Sequence, residues 1–200
     1  MSLVKASSIF IIFITLMHPL TMIMSMPMQQ QQQVKDIKIA SSSSDEEDLI
    51  SKTCNQTSYS DVCMATFLIS NYTTSSSSSS HNTTIHDLAF ISINATASYA
   101  ANTSAIIAAI LNGSTDFSDQ CLSDCLEQYG DAVDELQESM VALESCDYET
   151  VNVKVSAAMT NSGTCEGGFQ DEGVSSPLTE RNELFFKLCS NSLAIVKLLV

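Results

Sequence analysis

Seven cysteines are the only residues here whose types and spacing suggest chemistry. Cys54 and Cys63 bracket the polar stretch Asn-Gln-Thr-Ser-Tyr-Ser-Asp-Val, and Cys125 sits at the start of a long heptad pattern. Forty residues on, Cys165 stands in Thr164-Cys-Glu-Gly-Gly-Phe169. In a chain bound for an oxidising compartment, pairs at such positions read as disulfides rather than as catalytic thiols. Other reactive groups are scarce. Apart from His18 in the N-terminal apolar run, the histidines are His81 and His86, beside a polyserine tract. No Asp, Glu or Cys spacing around them resembles a metal site, so they read as solvated loop residues. No glycine-rich phosphate cradle occurs, and nothing suggests a Ser-His-Asp arrangement. The expectation is a rigid binding scaffold with no catalytic residue, no metal and no cofactor.

The N-terminus supports export. Lys5 precedes an apolar run from Ile9 to Met17, continued from Leu20 to Met26 after His18-Pro19. This is the charged-then-apolar order of a secretory signal peptide, expected over residues 1–26. A membrane anchor is the competing reading, but the uninterrupted run is too short for the ~30 Å hydrocarbon layer. Six N-x-[ST] sequons, at Asn55, Asn71, Asn82, Asn94, Asn102 and Asn112, fit a secreted glycoprotein. On a helix from about Thr84 to Asn112, Asn94 and Asn112 share one azimuth, whereas Asn102 falls near the apolar stripe. The first two are therefore expected to be the better acceptors.

Acids outnumber bases 23 to 8, a net charge of −15 that becomes −16 once Lys5 is removed. Such a chain is repelled by nucleic acid and drawn to basic proteins. Residues 27–48, with a glutamine run, Ser41–Ser44 and Asp45–Asp48, hold too little apolar surface to pack and read as a disordered polar spacer. Ser75–Ser80 reads as a second polar loop.

The remaining chain, 49–200, is helical in pattern. Leu122, Leu126, Tyr129, Val133, Leu136, Met140 and Leu143 form an unbroken seam of fours and threes within about 117–143. Ile85, Leu88, Ala95, Tyr99, Ile106 and Ile110 make a similar face, ended by Asn112-Gly113. Val151-Asn-Val-Lys-Val155 alternates like a strand, yet nothing else could pair with it. Asp147 as a cap and Val151, Val155 and Ala158 on one side favour a helix over 147–161. A last helix begins with Ser176 as cap and Pro177 in the first position, with Leu178, Phe185, Leu188, Ile195 and Leu199 as its face. Short connections imply an antiparallel four-helix bundle.

If the helices at 117–143 and 147–161 run antiparallel, Cys125 lies opposite Cys165, just past the end of the second. Cys54 and Cys63 close a small loop. Cys121 and Cys146, more than ~30 Å apart on one helix, are far beyond the ~6 Å a disulfide spans. They remain unpaired, and Cys189 reads as a buried free thiol.

Taken together, the segments around these cysteines resemble the plant invertase and pectin methylesterase inhibitor family. The carriers are Leu-Ile-Ser-Lys-Thr-Cys54 with Cys63, Leu-Ser-Asp-Cys125 through Asp-Glu-Leu136, Val-Ser-Ala-Ala158 through Gly-Thr-Cys165, and Leu-Cys189-Ser-Asn-Ser-Leu-Ala-Ile195. The match runs from about Leu49 to Leu199. The resemblance implies an all-α fold, an antiparallel four-helix bundle preceded by a short helical hairpin and stapled by Cys54–Cys63 and Cys125–Cys165. It also implies contacts with a target enzyme through Glu127, Asp131 and Asp134, with Asn152 and Thr164 beside them. Independently, those three acids stand at i, i+4 and i+7 opposite the seam, so they form an exposed row. A merely solvated face is the bland alternative. Three departures stand out: Gly167 where relatives can carry an acid, Ser58 and Ser60 where proline is common, and the additional Cys121 and Cys146.

The first functional expectation is a secreted inhibitor of pectin methylesterase in the cell wall, acting as a 1:1 complex that covers the pectin-binding cleft. Inhibition of acid invertase on the same scaffold is the alternative. A pectin methylesterase pro-region and a structural wall glycoprotein without an enzyme target rank below both. No nucleic-acid partner is expected, and no membrane association after signal removal.

Overall fold

Acid-rich sequence suits the first turn of a helix, where the macrodipole favours negative charge, and the first described helix opens that way. The structure is a computed structural model that describes residues 44–74, 83–113 and 119–200. The signal segment, residues 27–43 of the spacer, the polyserine tract, His81 and Asn82 lie outside the described residues. Helix α1, Ser44–Cys54, begins inside the stretch read as spacer, so its last five residues, 44–48, are helical rather than disordered. Within it Lys52 donates to Asp48 at 2.6 Å.

Helix α2 spans Ser60–Thr74 and is tied to α1 by the Cys54–Cys63 disulfide. The hairpin buries Ile50 and Phe67 in the core, and one side chain of the last helix pins its turn. Asn191, buried in the last helix, accepts from the Tyr59 amide at 3.3 Å and donates to its carbonyl at 2.9 Å. Four long helices follow: α3 Ile85–Gly113, α4 Asp119–Glu144, α5 Tyr148–Asp171 and α6 Thr179–Val196, closed by a 3₁₀ turn at Lys197–Leu199. Each packs on the next, and α6 returns to α3. All neighbours run antiparallel: His86 near the start of α3 meets Leu143 near the end of α4, and Ser92 of α3 meets Ser192 of α6. The described residues contain no strand, and no described helix is long and apolar enough to cross a membrane.

Two elements differ from expectation for packing reasons. Of the six apolar residues assigned to the inner face of α3, only Leu88 is fully buried. The true inner face runs through Ser92, Ile93, Thr96, Ala97, Ala100, Thr103 and Ile107. Small and hydroxyl-bearing residues let the backbones approach. Ser92 and Thr96 satisfy themselves against Ser192 at 2.8 and 3.3 Å, so a polar stripe is buried at little cost. Helix α5 runs ten residues beyond 161, through Gly163, Gly167 and Gly168. Val151, Val155, Ala158, Ser162, Cys165 and Phe169 stay buried along it, and this seam outweighs the poor helix propensity of glycine. It stops at Gly173, whose φ of +68° is the left-handed value glycine tolerates, with the Val174 amide returning to the Phe169 carbonyl at 3.0 Å.

The caps divide similarly. Asp147 does cap α5, accepting from the Thr150 amide at 3.1 Å and hydroxyl at 2.6 Å. Those bonds hold its carboxyl below the usual 3.8. A group with a depressed folded-state pKa stabilises above its ordinary pKa and loses that contribution as pH falls through the folded value. Asp147→Ala is therefore expected to lower the melting temperature by about 2–4 °C at pH 6. Calorimetry at pH 3 should find the gap narrowed. In contrast, α6 opens at Thr179 with no side-chain cap, and Pro177 precedes the helix instead of occupying its first position. Ser176 accepts from the Leu178 amide at 3.1 Å, and buried Leu178 anchors the turn.

Candidate docking face

The α4 seam fixes what α4 shows to solvent. Leu122, Tyr129, Leu136 and Leu143 are buried, with Leu126, Val133 and Met140 partly so. Glu127, Asp131 and Asp134 consequently point outward, and all three are exposed. Tyr129, between two of them in sequence, holds the helix from the inside. Its hydroxyl donates to Asn182 Oδ1 at 2.8 Å, and Asn182 Nδ2 donates to Glu166 Oε2 at 2.7 Å. Thr179 donates to the other Glu166 oxygen at 2.7 Å. Burial pushes the Tyr129 phenol far up, so it stays a donor. Phe185 packs against Tyr129 with ring centroids 5.4 Å apart.

The second tie is the Cys125–Cys165 disulfide, with Cα atoms 4.7 Å apart. Cys165 lies within α5 rather than past its end, because that helix is longer than expected. Among the remaining thiols Cys121 and Cys189 are buried and Cys146 is exposed. Cys146 takes a φ of +56° at the end of α4, a position glycine usually fills.

Antiparallel register places α5 alongside the acidic row. Lys154 pairs with Glu138, and Asn161 donates to Glu135 Oε2 at 3.1 Å. Burial raises the Glu135 pKa and nearby Asp131 adds to it, against the pull of Lys154 and Asn161. Glu135 and Glu138 read from sequence as part of a solvated face, yet with Lys154 and Asn161 they bridge the two helices. Lys154 as the single base of α5 was the available signal. Thr164 is exposed on the bank of α5 that faces α4 and lines a groove there with Gln128. Asn152 is exposed too but lies elsewhere. It is two residues from Lys154, about 200° around the helix, so it sits on the side away from α4. The structure thus brings Glu127, Asp131, Asp134 and Thr164 onto one outer surface and leaves Asn152 apart.

The other candidate residues fall outside this surface. His86 is not a solvated loop residue: it belongs to α3, is half-buried, and its Nε2 lies 3.0 Å from the Leu143 carbonyl. Asn55, Asn94, Asn102 and Asn112 are exposed, and Asn71 lies in α2. Asn102 is clear of the apolar stripe because the buried face passes through Thr103 instead. Its Oδ1 accepts from Arg181 at 3.3 Å, while Arg181 stands over the Tyr99 ring.

The family model described as plant invertase/pectin methylesterase inhibitor matches residues 48–195. A Platanus orientalis protein named "Putative invertase inhibitor" is 38% identical over 122 residues, 60% of this chain and 72% of that protein. The Actinidia deliciosa pectinesterase inhibitor is 32% identical over 158 residues, 77% of this chain and 80% of its own. The crystal structure of a pectin methylesterase inhibitor from Arabidopsis thaliana is 25% identical with a TM-score of 0.55, covering 78% of this chain and 98% of that one. A mutant form of an Arabidopsis inhibitor reaches a TM-score of 0.60 over 74% and 95%. With most of its described residues inside that match, the chain belongs to the plant invertase/pectin methylesterase inhibitor family.

Proposed function

We propose that this protein is a secreted inhibitor of pectin methylesterase that lays the outer surface of α4 and α5 over the enzyme's pectin-binding cleft in a 1:1 complex. The observation that carries this reading is the exposed row Glu127, Asp131 and Asp134, with Thr164 across the helix boundary. Three carboxylates on a helix held by a disulfide and by Tyr129 form a pre-organised acidic surface. Such a surface speeds encounter with a basic partner and fixes its register. Signal-like and sequon-bearing sequence supports export, and with it a site of action in the cell wall. The names of the Platanus relatives favour a second reading, inhibition of acid invertase by the same scaffold.

Titration of the purified protein against pectin methylesterase and against wall and vacuolar invertases separates the two. Stoichiometric loss of pectin methylesterase activity is the expected result. Inhibition of invertase alone overturns the first reading. Inhibition of neither, with the helices intact, leaves a wall glycoprotein without an enzyme target.

A further inference from the structure

Thr164 has a second neighbourhood. Between the first turns of α4 and the last turns of α5 lies a groove of about 330 Å³, bordered by Cys121, Asp124, Gln128, Thr164, Gly168 and Asp171. Its volume sits at the lower end of the 300–1,000 Å³ typical of ligand pockets, enough for one side chain rather than a larger molecule. A Cβ built on Gly167 or Gly168 meets nothing within 4 Å, so a larger side chain at either position has room to stand at the rim. Its base is rigid, because the Cys125–Cys165 staple crosses there and the Cys121 thiol donates to the Gly168 carbonyl at 3.8 Å. The border carries two carboxylates and a hydroxyl, with no lysine or arginine among the lining residues, and Asp124 accepts from Gln120 at 2.8 Å through one oxygen only.

We propose that this groove is a socket for one protruding basic side chain of the target enzyme, and that the glycine pair at 167–168 sets which enzymes fit. The inference rests on the pectin methylesterase reading and adds a point of specificity to it. The groove shares Thr164 with the docking surface and continues its acidic character, so a partner matching the α4 row meets the socket in the same encounter. A cation entering it gains Asp124 and Asp171 on either side, and a planar guanidinium can take two oxygens at once.

The test plugs the hole without harming the helix. Gly168→Leu removes a glycine from a helix interior and places its Cβ in open space, so the melting temperature should hold or rise. Inhibition of pectin methylesterase by the full secreted chain is expected to weaken at least tenfold, on the scale of a buried interface anchor. Asp171→Lys should do the same. Ala105→Leu on the exposed side of α3 should change nothing. Should Gly168→Leu inhibit within threefold of the unsubstituted protein, the socket is overturned while the docking surface stands. Should the unsubstituted protein fail to inhibit the enzyme at all, the functional reading fails and the socket with it.

Discussion

Removing the α4–α5 staple, as Cys125→Ala with Cys165→Ala, is expected to lower the unfolding free energy by about 4 kcal/mol. The bond closes 40 residues, and the chain-entropy estimate grows with the logarithm of that length. The Cys54–Cys63 bond closes only nine, for which the same estimate gives about 2.5 kcal/mol. Burial does not separate the two bonds, since all four cysteines are buried, but the Asn182 amide points at the Cys165 sulfur from 3.5 Å and is lost with it. Against a typical domain stability of about 5–15 kcal/mol, the loss is a large fraction of the whole. Urea unfolding of both double variants measures it. A larger penalty at Cys54–Cys63 would show that loop length does not govern these bonds.

Reversing two charges on the outer surface, as Asp131→Lys with Asp134→Lys, is expected to weaken inhibition about a hundredfold with no change in helicity. Both side chains are exposed and make no tie within the bundle that the fold depends on, so the cost falls on the complex. Placing two cations against a basic partner replaces attraction with like-charge contact, and a hundredfold corresponds to about 2.7 kcal/mol. Long-range steering alone also responds to net charge, so Asp61→Lys with Glu183→Lys, exposed on α2 and α6, is the matched control. Equal losses in the two pairs point to bulk charge. No loss in either identifies the row as a solvated face.

Where the inner side of a helix is built from large apolar residues, its placement was legible in sequence. The α4 seam from Leu122 to Leu143 is such a case, and it places the acidic row by elimination. Where the inner side is small or polar the pattern misled. Ser92, Thr96 and Thr103 carry the α3 contact, and hydropathy assigned that role to their larger neighbours. The three glycines of α5 read as an end, because propensity is local while the seam through Ser162, Cys165 and Phe169 is satisfied only by packing. The resemblance puts Asn152 and Thr164 in one set of contacts, on a helix expected over 147–161 and at its end. Twelve residues at about 100° each turn them roughly 120° apart, which only the register of α5 against Lys154 and Glu138 reveals. The groove was invisible in sequence, since a cavity is a property of what two helices leave out between them.

Every N-x-[ST] sequon falls before Gly113, so α4, α5 and α6 carry none. Where those sites are used, sugar anchors on the first hairpin and on the outer side of α3. Hydration, bulk and resistance to proteases then belong to one half of the molecule, and the other half remains bare polypeptide. On the proposed reading, substitutions on α3 act on the coat and those on α4 act on recognition. The two can be varied independently in a single chain.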